Sequence, residues 1–404
     1  MSITSRIEDA RPGGRPLDGV KVVEFTHMVM GPTVGLILAD LGADVVKVEP
    51  LKGDSTRRLV GSGAGYFPMY NRNKRSLCVD LDSEHGRELA LRLVNRADVM
   101  IENFRPGAMA ERGLDYETLS PKAPGLIYCS AKGFLRGPYE HRTALDEVAQ
   151  MMGGLAYMTG LPGKPMRAGA SVIDVTGGMF GVIAILAALH ERERTGRGQE
   201  VKTSLFETTA FLVGQHMAQK AVTGTAAPPM TQRRSAWAVY DIFESRDHEM
   251  VFAGVVTDSQ WRKFCDAFEL QEFLADDALQ TNADRVRNRE RILGSIRDRM
   301  RRYDKAELMA RLEAVGLPFA PVSRPEDLFE DPHLNASNGL VPLTLTSGTK
   351  TRLPALPIEM SGNRMDLRRD LPREGEHSLE VLHEIGLDEG AISTLVKSGV
   401  VRAA

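Results

Sequence analysis

Val20-Lys21-Val22-Val23-Glu24-Phe25, then Gly31-Pro32 at the head of an apolar stretch that stops near Gly42, then Asp44-Val45-Val46-Lys47-Val48-Glu49, sets the architecture. The outer runs are short, rich in valine and bounded by turn residues, which reads as buried strands, and the middle is long enough for a helix. Strand, crossover helix and strand make a βαβ unit. The alternation continues with a helix around Gly86 to Ala97, a strand Asp98-Val99-Met100-Ile101-Glu102, a helical stretch near Tyr116 and a strand Gly125-Leu126-Ile127-Tyr128-Cys129-Ser130. Such alternation implies an α/β fold, a parallel sheet covered on both faces with ligand sites beyond the carboxyl ends of its strands.

Outward from this core, an apolar helix runs from about Gly177 to His190 and stops at Thr195-Gly196-Arg197-Gly198, and residues 198–207 read as a strand entering a helix. Residues 222–229, with Gly224 and paired prolines, read as a linker into a second unit. That unit carries strands at 238–243 and 250–255, joined by a turn around Asp247-His248, and then charged amphipathic helices between Ser259 and Val315. The tail is expected to return to the first domain. The organisation read from the sequence is therefore 1–221 for the first part of the large domain, 222–330 for the small domain and 331–404 for the returning segment.

The chain is 404 residues long, room for two cores. A net charge of -3 supplies no basic field for nucleic acid, and the short clusters Arg72-Asn73-Lys74-Arg75 and 192–197 suit a small anion or a solvated surface. Cys78, Cys129 and Cys265 are odd in number and far apart, which argues against a disulfide framework and fits a reducing cytoplasm. The first eleven residues lack the apolar core of a signal peptide, and neither export nor membrane spanning is expected.

The usual chemistries fail on spacing. The turn after Phe25 is Thr26-His27-Met28-Val29-Met30-Gly31, without the glycine fingerprint of dinucleotide binding, and there is no phosphate-cradling G-x-x-x-x-G-K-[ST]. Gly61-Ser62-Gly63-Ala64-Gly65 has no strand before it and reads as a flexible loop. No His-x-x-x-His or Cys/His cluster marks a metal site, and no G-x-S-x-G marks a serine hydrolase. His27 follows a strand end, where it could touch a ligand or simply pack. What remains is Arg167-Ala168-Gly169-Ala170-Ser171-Val172-Ile173-Asp174-Val175-Thr176-Gly177-Gly178, a lone carboxylate among small residues ahead of a helical pattern. Asp174 could be a helix N-cap or a covalent nucleophile.

An ordered series of motifs carries a resemblance over the whole chain: Pro16-Leu17-Asp18-Gly19-Val20-Lys21-Val22-Val23-Glu24-Phe25, Gly42-Ala43-Asp44-Val45-Val46-Lys47-Val48-Glu49-Pro50, Asn73-Lys74-Arg75-Ser76, Glu102-Asn103-Phe104-Arg105-Pro106-Gly107 and Thr195-Gly196-Arg197-Gly198-Gln199. Gly316-Leu317-Pro318, Asp331-Pro332 and Gly375-Glu376-His377 follow in the C-terminal third. The chain resembles the family III coenzyme A transferases (the CaiB/BaiF family), the group of formyl-CoA transferase and carnitine CoA-transferase, with α-methylacyl-CoA racemase as a relative.

The resemblance implies a Rossmann-like large domain formed by both termini, a smaller inserted α+β domain and an interlocked homodimer. It implies no tightly bound cofactor, with coenzyme A and acyl-CoA as substrates alongside a small carboxylic or dicarboxylic acid, succinyl-CoA being one candidate donor. It places the nucleophile on Asp174, which would form an acyl-aspartyl anhydride and then an aspartyl-CoA thioester, with backbone N–H groups at the helix start or around Gly177 and Gly178 as oxyanion donors. It places the coenzyme A channel on His27, Met28, Val29 and Met30, with Asn103, Phe104 and Lys132. Arg57, Lys74 and Arg75 are further candidates for phosphate or carboxylate, with a structural ion pair as the other reading of the last two, and Arg233 and Arg234 are candidates for a second substrate carboxylate. This sequence also departs from the family. Residues 232–237 lack the glycine run of formyl-CoA transferase, and Glu111 stands where many members have arginine. Leu145-Asp146 replaces the His-Asp of the racemases, which removes one of two bases needed for proton exchange. The competing functions are a racemase-type acyl-CoA isomerase and a non-catalytic coenzyme A binding protein.

Overall fold

A computed structural model describes residues 14–232 and 235–404. They divide into two compact units, one running up to Thr231 and resuming at Pro332–Ala404, the other Gln232–Asp331. The division falls at 232 and not at 222, since the helix Gly214–Thr223 runs through the expected boundary.

Seven strands form the central sheet of the first unit. Strands β1 (Lys21–Phe25), β2 (Asp44–Glu49), β3 (Lys74–Val79), β4 (Val99–Glu102), β5 (Ile127–Lys132) and β6 (Glu200–Ser204) lie in the order β3-β2-β1-β4-β5-β6. All are parallel, and the terminal strand Val401–Arg402 closes the β3 edge in the antiparallel sense. This is the order of a doubly wound dinucleotide-type sheet, whose direction of winding reverses between β1 and β4.

Helix α1 (Met30–Asp40) is buried at every position, which explains why its sequence is apolar all round with no polar face. After helix α2 (Glu84–Val94) and helix α3 (Asp146–Met152) comes the long helix α4 (Val172–Thr195), which begins before and ends after the stretch read from the sequence. Helices α1 and α4 meet through glycine. A Cβ on Gly177 would lie 2.8 Å from Met30 Cε, and one on Gly178 would lie 2.8 Å from Thr33 Cβ and 2.9 Å from the Met30 carbonyl. Larger residues there would push the two helices apart.

Charge is buried near the ends of β1 and β2 and at the start of β3. Glu24, Lys47 and Lys74, from three neighbouring strands, are fully inaccessible. Glu24 Oε1 accepts from Lys74 Nζ at 2.9 Å and from Lys47 Nζ at 3.4 Å, while Lys47 Nζ also reaches the Thr26 carbonyl at 2.8 Å and Asp54 Oδ2 at 3.0 Å. Burial, opposed by Glu24 and assisted by Lys47, pulls the Lys74 amine down to about 8.

The second unit is a three-stranded antiparallel sheet, β7 (Tyr240–Glu244), β8 (Met250–Gly254) and β9 (Phe319–Pro321), in that order. Its helices bury Trp261, Phe264, Ile292 and Leu308 in one core with Phe243 and Val251. The short β9 carries no signal in a three-residue apolar run. Removing one partner from a buried ionic cluster leaves an uncompensated charge. The variant Lys74→Met is therefore expected to lose about 3–5 kcal/mol of unfolding free energy in urea denaturation; a loss below about 1 kcal/mol would show that Lys47 alone can hold Glu24.

Candidate active site

Where the winding reverses, the loops leaving β1 and β4 part and a crevice opens at their carboxyl ends. Asn103 spans it. Its Oδ1 accepts the His27 N–H at 3.0 Å, and its Nδ2 donates to the His27 carbonyl at 2.8 Å. Phe104 stacks on the His27 ring with centroids 5.4 Å apart. Gly31 permits this close packing, since a Cβ there would sit 2.7 Å from Thr26 Cγ2 and 2.9 Å from Asn103 Cγ. Burial holds the His27 imidazole below its ordinary value, against the pull of Asp54 and with help from Lys47, so the ring is neutral at physiological pH.

The crevice is a cleft of about 480 Å³, and it brings together His27, Met28, Val29, Met30, Asn103, Phe104, Lys132 and Asp174, all singled out from the sequence. Lys132 Nζ is held by Glu102 Oε2 and the Phe104 carbonyl, each at 2.7 Å. Met28 adopts φ 65, a left-handed conformation uncommon outside glycine, which turns the loop into the cleft. Residues not singled out as site residues also line it: Tyr66, Arg142, Glu147 and Asp146. Tyr66 follows the 61–65 glycine segment, which forms a 3₁₀ turn.

Arg57, Lys74 and Arg75, candidates for phosphate or carboxylate, do not line this cleft, and Lys74 and Arg75 stand in the ion pairs that were their other reading. Arg57 donates to both Glu49 oxygens, at 2.6 and 2.8 Å, and to the Pro372 carbonyl, with its guanidinium 3.7 Å above the Phe67 ring. Lys74 belongs to the buried cluster under the sheet. Arg75 is shared among Asp44, Glu380 and Glu384 and ties β3 to the returning C-terminal segment. Each is already neutralised by a carboxylate. Arg233 and Arg234 lie outside the described residues.

Asp174 is not the cap of its helix. It is the third residue of α4, and Ser171 occupies the N-cap position without a side-chain hydrogen bond. The exposed donors of the first turn are all accounted for. Val172 N–H reaches the Ala170 carbonyl at 2.8 Å, Val175 N–H reaches the Ser171 carbonyl at 3.0 Å, and Ile173 and Asp174 N–H donate to Asp146 Oδ2 at 2.9 and 3.1 Å. Asp146, the first residue of α3, does the capping from another element. The oxyanion donors expected at this helix start are thereby occupied, and Gly177 and Gly178 lie beyond the first turn, where N–H groups bond within the helix. Helix α1 does have an uncapped start: Val29 makes no side-chain cap bond, and Val29 and Met30 line the cleft.

Among the described residues the Asp174 carboxylate is given no hydrogen-bond donor, and it borders the cleft. Burial raises it to about 7, with Asp146 and then Glu147 adding to the rise and Arg167 opposing it. Desolvation and like charge thus outweigh the favourable helix dipole. Tyr70 responds to the same field, its hydroxyl pushed up to about 12 by burial and by Asp174.

Residues 17–378 match the family described as CoA-transferase family III. The chain belongs to CoA-transferase family III. It is 34% identical to a succinate–glutarate CoA-transferase of Agrobacterium fabrum over 92% of this chain and 96% of that protein. It is 35% identical to a succinyl-CoA:mesaconate CoA-transferase of Haloarcula hispanica over 93% and 97% of the two chains. The crystal structure of a CaiB/BaiF family protein from Brucella suis superimposes with a TM-score of 0.84, at 35% identity, covering 92% of this chain and all of that one. This CoA-transferase moves coenzyme A between an acyl-CoA and a carboxylic acid, and coenzyme A thioesters are its substrates.

The raised pKa makes the ionised Asp174 carboxylate a cost to the fold. A carboxyl whose folded value lies above its ordinary 3.8 stabilises the fold least when ionised: the cost is absent below that value, grows as pH rises, and is complete above about 7. At 1.36 kcal/mol per pH unit this is on the order of 4 kcal/mol. Asp174→Asn is expected to melt higher than the wild type at pH 8, with the gap closing as pH falls toward 4; a gap independent of pH would contradict the assignment.

Proposed function

We propose that this CoA-transferase carries the transfer on Asp174, with succinyl-CoA as donor and a small dicarboxylic acid as acceptor. One observation bears the mechanism: a cleft-facing carboxylate with no hydrogen-bond donor, on a helix that a different carboxylate caps. An Asp used as a cap is spoken for. This one is free to attack.

In the first step a carboxylate oxygen of Asp174 bonds to the thioester carbonyl carbon, the C–S bond breaks, and the electron pair leaves on the coenzyme A thiolate. The thiolate then attacks the aspartyl carbonyl, releasing the donor acid and leaving an aspartyl-CoA thioester. The acceptor carboxylate repeats the two steps in reverse. No proton needs to be supplied, since a carboxylate enters and a carboxylate leaves. The Val29–Met30 turn at the start of α1 is placed to offer N–H groups to the developing oxyanions. The names of the relatives support succinyl-CoA and dicarboxylates of glutarate and mesaconate size.

A homodimer belongs to the same proposal. Helix α4 is long and apolar enough to cross a membrane, yet it lies against the sheet of this unit with part of its surface bare. Ile183 on α4, Phe211 on helix α5 (Leu205–Leu212) and Met217 on helix α6 (Gly214–Thr223) are 59%, 71% and 63% exposed. An apolar strip of this kind is what a second copy would cover.

Incubation with succinyl-CoA and glutarate, followed by hydroxylamine and peptide mass analysis, is expected to place a hydroxamate on Asp174. Asp174→Asn should lose both the adduct and turnover by at least about a thousandfold; unchanged turnover in that variant would end the assignment. Phe211→Glu should shift the mass in sedimentation toward the monomer, and an unshifted dimer would place the interface elsewhere.

A further inference from the structure

Asp146 is buried, with 4% of its surface accessible, yet it sits one helix end away from Asp174. Its Oδ2 takes the N–H groups of Ile173 and Asp174, and its Oδ1 takes the Gln150 side-chain amide one turn along α3. Gln150 is itself fully buried, and its Oε1 accepts the Ala168 N–H at 2.8 Å. The entry to α4 is thus pinned to α3 at two points, Ala168 and Ile173–Asp174, through two side chains. Three donors converge on Asp146, which acts here only as an acceptor. A neutral residue could still accept the two helix N–H groups, because Asn and Ser cap helices about as well as Asp, while the Gln150 amide would lose its carboxylate oxygen. What neither would supply is a negative charge beside the Asp174 backbone.

Resting on the nucleophile reading above, we infer that Asp146 is a positioning residue that both fixes the helix end under Asp174 and makes its free carboxylate anion costly, a cost that acyl transfer removes. When Asp174 bonds to the thioester carbonyl carbon and the C–S bond breaks, the negative charge departs with the coenzyme A sulfur. In both the anhydride and the aspartyl-CoA thioester the Asp174 side chain is neutral. The like-charge contact therefore exists only in the free enzyme. An anion raised in energy in this way is more basic and more nucleophilic toward an acyl carbon. The groups that face Asp174 from the packed elements are Asp146 and Glu147 on α3, Arg167 on the entry loop, Tyr70 on the helix Tyr66–Tyr70, and His27 and Arg142 across the cleft. Glu147 and Arg167 form an ion pair with each other, the tyrosine and neutral histidine carry no charge near neutrality, and the Arg142 guanidinium lies over the Tyr139 ring, so Asp146 is the neighbouring acid without a cation of its own among the described residues.

The test is the pH dependence of the first acylation, read by rapid quench with succinyl-CoA and the mass of the Asp174 peptide. Asp146→Asn and Asp146→Ser keep an acceptor for the helix donors, whereas Asp146→Glu keeps the charge; melting curves identify which neutral variant is folded, and either suffices. The wild type is expected to lose acylation as pH falls through neutrality. In a folded neutral variant that loss should move to lower pH, so that at the foot of the wild-type limb the variant retains a roughly tenfold larger fraction of its own plateau rate. Its plateau at high pH should fall, and Asp146→Glu should keep the wild-type limb. Neutral variants with an unmoved limb and only a lower plateau would reduce Asp146 to a cap and overturn the inference alone. If the wild type forms no acyl-Asp174, the nucleophile reading falls and this inference falls with it.

Discussion

A carboxylate and two lysines with no access to water tie the carboxyl ends of two parallel strands to the start of a third. Glu24 and Lys47 are register partners on β1 and β2, Lys74 reaches Glu24 from the first residue of β3, and a dry interior tolerates them only because each is paired. Lys47 carries the constraint outward by donating to the Thr26 carbonyl and pairing with Asp54. The chain is thereby fixed where it leaves β1, at the edge of the cleft. Neighbouring ties extend the frame: Glu49 takes Arg57 and the Ser76 hydroxyl, and that same hydroxyl oxygen accepts the Gly375 N–H from the returning segment. The loop that lines the cleft is built on this base.

Two opposite demands meet at the start of α4. The helix dipole and its open N–H groups favour a carboxylate, and burial beside a second acid disfavours one. The chain resolves the conflict by giving each acid one task. Asp146 takes the N–H groups and is hidden, while Asp174 is left facing the cleft at higher energy. A transferase that conserves the energy of a thioester needs a nucleophile whose acyl derivative is itself reactive, and on the proposed route an aspartyl anhydride would meet that need. Neutral His27, stacked on Phe104 and tied to Asn103, adds a polar wall that carries no competing charge.

Much of the large sheet was legible because its strands are buried on both faces and read as apolar runs separated by helical spacing. The linkage of β1, β2, β4 and β5 followed from that pattern, and the cleft-lining loop 27–30 followed from its place after β1. What the sequence hid depends on long-range geometry. Lys74 and Arg75 look like anion binders in a basic cluster, and only the fold shows that Glu24, Asp44, Glu380 and Glu384 already occupy them. Asp174 looks like a cap, and the true cap is 28 residues away in sequence. The one local hint was Asp146 four residues before Gln150, a spacing that lets an amide hold a carboxylate on one helix face. Gly177 and Gly178 read as backbone donors but serve the approach of α1 to α4.

The proposed transfer passes an oxygen atom through the Asp174 carboxylate. Single turnover with an acceptor acid whose carboxylate carries a heavy oxygen isotope, followed by mass analysis of the Asp174 peptide, reads this directly. One labelled oxygen is expected to enter the Asp174 side chain and, since either carboxylate oxygen can attack, to appear in part of the donor acid released at the next turnover. Product formed with no label in that peptide would mean that the acids exchange coenzyme A without passing through Asp174, and would contradict the account.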